Sequence, residues 1–145
     1  MKNNYFFYFF VLFFLFINKD ILFANELEIK SSKIKIEKKT KTVFLEGNVT
    51  AVDSKNNRIY SEAARYNKDK GLIETFGETK IITSEGYQII GENIFFNNKE
   101  EIISSDNETE ILDKDGNRIF VEMFNYIINK NMFLSKGRIE IKDVN

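Results

Sequence analysis

Carboxylates are the only groups in this chain whose spacing suggests chemistry. Glu62, Glu92 and Glu122 recur at a fixed interval, and paired acids are the machinery of general acid–base attack on a glycosidic bond. Such a pair needs two different environments, one keeping its acid protonated and the other ionised. Residues that recur because a structural unit recurs sit in the same environment each time, so this row reads as a solvated feature of a repeat. Histidine and cysteine are both absent, which removes the usual zinc sites, thiol nucleophiles and the Ser-His-Asp triad. The expectation is a protein that is not an enzyme, with no cofactor, no metal and no catalytic residue.

Charge narrows the partners. With 21 basic against 22 acidic residues the net charge is −1, so the broad electrostatic attraction that grips nucleic-acid phosphates is missing, and no nucleic acid is expected as a partner. Lysines 30, 33, 35, 38, 39 and 41 form one local basic stretch. A lysine-guarded edge strand, protected against aggregation, is its ordinary meaning; contact with lipid phosphates or with an acidic neighbouring edge is the alternative.

The elements that position these residues follow a 30-residue repeat,. Val43, Ile73, Ile103 and Phe133 correspond, and so do Ala51, Ile81, Ile111 and Ile141. Between them lie Gly47, Gly77, Asn107 and Gly137, residue types that tolerate positive φ at a bulge. In the second half of each unit Ile59, Ile89 and Ile119 align, then Ala64, Ile94 and Phe124, then Tyr66, Phe96 and Tyr126. Apolar and polar residues alternate: Val43, Leu45, Val49 and Ala51 face one way, and Glu46, Asn48 and Thr50 the other. That is the pattern of a half-buried strand.

In the second half the apolar phase slips at the recurring Glu, which predicts a bend or bulge there. Turn-forming residues join the strands at 53–57, 83–86 and 113–117,. Each unit is therefore two strands joined by a hairpin, and the whole is an all-β, antiparallel meander or jelly roll. Ile29, Ser31, Ile34 and Ile36 match the second half of a unit, whereas Phe133 to Asp143 match only the first half. A second copy placed head to tail would complete the interrupted unit by strand pairing.

Residues 5–17 are an apolar run after Lys2, followed by Asn18-Lys19-Asp20 and a small residue at Ala24. The run is short of the roughly 20 residues that span a bilayer. The expectation is a secretory signal peptide over residues 1–24 and a mature domain over 25–145, with an uncleaved anchor as the alternative. Export of this kind implies the periplasm.

Leu27-Glu28-Ile29-Lys30-Ser31-Ser32, followed after a gap by Val43-Phe44-Leu45-Glu46-Gly47-Asn48-Val49, resembles the opening of the OstA-like proteins of lipopolysaccharide transport. The stretch Ser61-Glu62-Ala63-Ala64-Arg65-Tyr66 is similar to a second motif of that family. The resemblance implies a V-shaped β jelly roll whose apolar inner wall carries the acyl chains of lipopolysaccharide, with protomers stacked end to end. It also implies partners of similar fold at the inner and outer membranes. In size and layout the chain is similar to the family's soluble bridge component.

From periodicity alone, the inward stripe is a packed core. The resemblance makes it a lipid-binding wall of Val43, Leu45, Val49, Ile59, Tyr66, Ile73, Ile81 and Ile89, continued by Ile94, Phe96, Ile103, Ile111, Ile119, Phe124, Tyr126 and Phe133. The contrasting expectation is a structural β-solenoid or filament protein with a dry interior and no lipid ligand.

Overall fold

A computed structural model describes residues 27–143. The expectations for residues 1–24 lie outside that range. Eleven strands follow one another: β1 (Glu28–Lys30), β2 (Lys33–Glu37), β3 (Thr42–Val52), β4 (Arg58–Asn67), β5 (Leu72–Ile82), β6 (Gln88–Glu92), β7 (Phe95–Asn97), β8 (Ile102–Ser105), β9 (Thr109–Leu112), β10 (Arg118–Ile127) and β11 (Met132–Lys142). Every pairing is antiparallel.

The long strands each serve two half-sheets. The first half of β3 pairs with β2 and the second half of β4, while its second half pairs with β1 and the first half of β4. The same division continues through the molecule. One half-sheet runs β2, β3, β4, β5, β7, β8, β10, β11, and the other runs β1, β3, β4, β5, β6, β9, β10, β11. Register breaks mark the crease between them, at Glu46/Val49, Ser61/Ala63 and Val121/Met123. An extra residue in one strand bends it and lets its apolar side stay inward on both sides of the crease. The slip inferred at Glu62 and Glu122 is this crease, and it turns both carboxylates out to solvent.

Gly47, Gly77 and Gly137 take φ of 74°, 75° and 88°, a region closed to most side chains. Asn107, their counterpart by sequence, is not among the positive-φ residues. There the strand is interrupted between β8 and β9, and the Ser105 hydroxyl accepts from Asn107 N–H at 3.1 Å. The chain turns the corner by a break in place of a glycine bulge. A similar break separates β6 from β7 at Asn93, which has φ 53°. Two of the strands expected as single pieces are thus four.

The outer end of the second half-sheet is closed by turns at 53–57, 83–87 and 113–117, 30 residues apart, and the first and third are built alike. Asp53 Oδ1 accepts from Lys55 N–H and Asn57 N–H at 2.9 and 2.8 Å, and Asp113 Oδ1 does the same for Asp115 and Asn117 at 2.8 and 2.9 Å. A short side chain bonded to its own backbone fixes such a turn locally. These bonds, with that from the Asn117 amide first among them, hold the Asp113 carboxyl below its ordinary range.

Candidate functional site

The register places the sequence-predicted wall residues on two inner rows. In one half-sheet Ile36, Val43, Tyr66, Ile73, Phe96, Ile103, Tyr126 and Phe133 are successive cross-strand neighbours. In the other the row is Ile29, Ala51, Ile59, Ile81, Ile89, Ile111, Ile119 and Ile141. Nearer the crease Leu45, Val49, Ile94 and Phe124 complete the interior with Ala64 and Val121. All sixteen named wall residues belong to one apolar cluster; Val43, Tyr66, Ile119 and Phe133 are partly buried at its margins and the others are buried.

The rows are not uncovered along their length. Ile81, Ile89, Ile94, Ile103 and Tyr126 are 0% exposed, because the creased strands fold one half-sheet onto the other and the facing side chains fill the space between. Clefts of about 240 to 330 Å³ reach Val49, Ile59 and Phe124 among the wall residues, whereas Ile73, Ile81, Ile89, Phe96, Ile103 and Ile111 do not line them. Exposure returns only at the two ends of the stack. Ile34 and Ile36 on β2 are 52% and 65% exposed, and Ile139 and Ile141 on β11 are 52% and 67% exposed. By register these are inner-row positions, so the apolar interior emerges at both open edges.

Beneath the crease runs a line of buried hydroxyls. The Thr75 hydroxyl donates to the Ile94 carbonyl at 3.0 Å and accepts from the Ile94 N–H at 2.9 Å, and the Thr79 hydroxyl donates to Thr75 at 2.8 Å. The Thr75 hydroxyl thus satisfies the Ile94 N–H at the β6–β7 break, while the Ile94 carbonyl also accepts from the Thr75 N–H at 3.0 Å,.

At the outer rim, Tyr126 stacks on Phe133 with centroids 4.1 Å apart, and its hydroxyl donates to Asn131 Oδ1 at 3.0 Å. Burial pushes the Tyr126 phenol up to about 12, with the neighbouring Tyr87 and Glu85 adding to the effect. Burial also raises the Tyr66 phenol.

Val121, Ile128 and Tyr87 belong to this interior but escaped the sequence reading. Val121 occupies the repeat position of Ser31 and Ser61, Tyr87 that of Asn57 and Asn117, and Ile128 that of Lys68 and Asn98. The period that found the other wall residues hides these. Their apolar side chains at otherwise polar positions were the available signal.

The recurring glutamates make no cluster of chemistry. Among the described residues no group of three or more acidic side chains is arranged to hold a metal, and Glu62, Glu92 and Glu122 are all exposed. The lysine stretch lies on the β1–β2 edge and its turn, where Lys33 meets Glu46 at 2.7 Å and Lys41 meets Asp69 at 3.0 Å, all well exposed. Such pairs contribute little to stability. No helix among the described residues is long and apolar enough to cross a membrane.

The fold has a solved counterpart. The crystal structure of LptH, the LptA-homologous periplasmic component of the lipopolysaccharide transport device of Pseudomonas aeruginosa, superposes with a TM-score of 0.73 over 83% of this chain and 96% of that one, at 9% identity. This likeness establishes an LptA-like β jelly roll. No curated protein matches the sequence. The family model for lipopolysaccharide-assembly, LptC-related proteins matches residues 3–119. That match covers most of the sequence, including the motifs at 27–49 and 61–66, and the chain therefore belongs to the LptC-related lipopolysaccharide-assembly family.

Proposed function

We propose that the chain is a non-enzymatic lipopolysaccharide carrier in the periplasm, holding acyl chains against its inner apolar rows and passing them on through paired edge strands. The supporting observation is that both rows continue to the open edges and finish in the exposed isoleucines Ile34, Ile36, Ile139 and Ile141. A domain that needed only a core would end its sheet in short or charged inward positions, and apolar surface left at an edge marks a place of contact. Each acyl methylene taken up would contribute about 0.8 kcal/mol, so a few chains suffice for tight binding.

Edge pairing joins β11 of one molecule to the β1–β2 edge of the next and completes the interrupted repeat. Carried on by the 30-residue period, the β3–β4 register sets Lys136 of one edge opposite Lys33 of the other, but Glu140 opposite Lys30 and Lys142 opposite Glu28. Two opposite-charge pairs against one like-charge pair favour a second copy in this position, and inner- and outer-membrane components of similar fold take the same edges. The family match begins at residue 3 and so includes the apolar run at 5–17, the expected cleaved signal, with a retained anchor as its alternative. Mass measurement of the exported protein decides between them.

The structural-filament reading draws support from the sealed middle of the interior, where Ile81 and Ile89 are 0% exposed. Binding measurements separate the two. The carrier reading expects purified protein to bind lipopolysaccharide and to release it to free lipid A but not to the delipidated polysaccharide. Competition by the polysaccharide alone, or no binding at all, refutes acyl recognition.

A further inference from the structure

The rim turns repeat every 30 residues, and the repeat is broken where the two half-sheets meet across the mouth of the fold. In the turns at 53–57 and 113–117 the Asn57 and Asn117 amides donate back to Asp53 and Asp113 at 2.7 and 2.8 Å. Those amides are turned back on their own aspartates, and the Asn57 Oδ1 also accepts from Ser84 N–H of the next turn at 2.8 Å. At 83–87 the corresponding residues are Thr83 and Tyr87. The Thr83 hydroxyl still accepts from Tyr87 N–H at 3.1 Å, and Gly86 N–H still reaches the Thr83 carbonyl at 3.0 Å, so the turn keeps its shape. The Tyr87 ring is free to cross to the other half-sheet, where its centroid lies 5.1 Å from that of Phe133 and 5.7 Å from that of Tyr126.

A second crossing lies along the same mouth. Lys55, in the turn between β3 and β4, places its Nζ 2.5 Å from Glu101 Oε1, in the turn between β7 and β8 on the opposite rim. Glu101 has φ 58°, the position taken by Lys41, Gly71 and Asn131 in the other units. A left-handed conformation is uncommon for a glutamate, and here it accompanies a carboxylate that faces the other rim and is only 19% exposed.

We infer that the Lys55–Glu101 pair and the Tyr87 contact with Tyr126 and Phe133 form a two-point strap that holds the rims together, and that its release parts the half-sheets to admit a hydrocarbon chain. The identity of what enters rests on the carrier reading; the opening does not. The crease cannot be the side that parts, because continuous strands and their ladders cross it. Among the described residues, the contacts that bridge the rims outside the apolar interior are a partly exposed ion pair and the aromatic contacts of Tyr87, each weak alone,. Local openings follow the line of fewest contacts.

The test uses the full chain in isolated cell envelopes. The protein lacks cysteine, so a single thiol introduced by Ile89→Cys, beside Tyr87 on the inner row, reports opening. N-ethylmaleimide labelling, read by a mass-tag chase and immunoblot, gives its rate without any ligand. Transplanting the turn of the other units with Thr83→Asp plus Tyr87→Asn keeps the turn bonds but removes the ring, and should accelerate labelling by about tenfold or more. Lys55→Glu should also accelerate it, and adding Glu101→Lys should restore the slow rate. This charge exchange keeps the proposal open to refutation if the turn transplant fails to accumulate. Unchanged labelling in Lys55→Glu and in the transplant, with the protein still protease-resistant, overturns the strap. Faster labelling with no lipopolysaccharide recovered on the protein upholds the strap and overturns the carrier reading.

Discussion

Aspartate placed at Ile81 and, separately, at Ile141 distinguishes the part of the inner row that holds the fold from the part that is exposed for contact. Both are inner-row positions of the same half-sheet, but Ile81 is 0% exposed and Ile141 is 67% exposed. Losing a fully buried isoleucine removes about 1.5–3 kcal/mol of apolar burial. An unpaired carboxyl in its place adds several kcal/mol more, moderated by protonation as its pKa rises. The sum is about 5 kcal/mol or more, against a total stability of roughly 5–15 kcal/mol for a domain of this size. Ile81→Asp should therefore leave the protein unfolded or close to it at pH 7.

Ile141 retains only a third of its surface in contact, so Ile141→Asp should cost about 1 kcal/mol or less. With a urea slope of about 1–3 kcal/mol per molar, its midpoint should fall by about 0.5 M. The assay is urea unfolding followed by far-ultraviolet circular dichroism, paired with sedimentation against a partner of similar fold. Ile141→Asp should keep the fold and lose the pairing. Equal destabilisation by the two changes, or normal pairing in a folded Ile141→Asp protein, would refute the distinction between a sealed middle and open ends.

The remaining expectations concern the crease and the rim. Gly77 has φ 75° and a Cβ there would meet only Glu62 Oε2 at 3.7 Å, so Gly77→Ala should cost about 1–2 kcal/mol of purely conformational origin, with Gly77→Asn milder; equal urea midpoints for all three would contradict it. Thr75→Val keeps the shape but removes both bonds to Ile94 and the one from Thr79, and should destabilise by about 2–4 kcal/mol, measured in the same way. The Tyr126 phenol, raised to about 12 by burial, favours its neutral form in the folded state. Its stabilising effect is therefore complete below the ordinary tyrosine value near 10 and disappears as pH climbs from there to about 12. Absorbance titration at high pH should show a late-ionising tyrosine signal, to which Tyr66 also contributes, that falls by one residue in Tyr126→Phe.

The repeat made the architecture legible because a two-residue alternation inside a 30-residue period leaves little freedom in facing or register. Spacing alone puts Val43, Ile73, Ile103 and Phe133 in one row, and the pairing places them there. Periodicity alone reads the stripe as a packed core, and Ile81 and Phe96 are buried as such a core requires; how far the sheet creases to cover them is not carried by a two-residue alternation. The break at Asn107 escaped because asparagine and glycine both suit a tight corner, whereas here a serine hydroxyl does the turning. Tyr87 escaped because its role is a departure from the repeat. The left-handed set Lys41, Gly71, Glu101 and Asn131 escaped because only two of its members are residue types that favour that conformation,.

Photo-crosslinking in cells tests the central claim most directly. A benzophenone amino acid is placed at inner-row positions Ile36, Phe96 and Ile141 and, for contrast, at the cross-strand neighbours Phe44 and Arg65 on the opposite face of the first half-sheet. The account predicts lipopolysaccharide adducts from all three inner positions and none from the two outer ones. Adducts from both faces alike, or only protein adducts from the inner row, would contradict it.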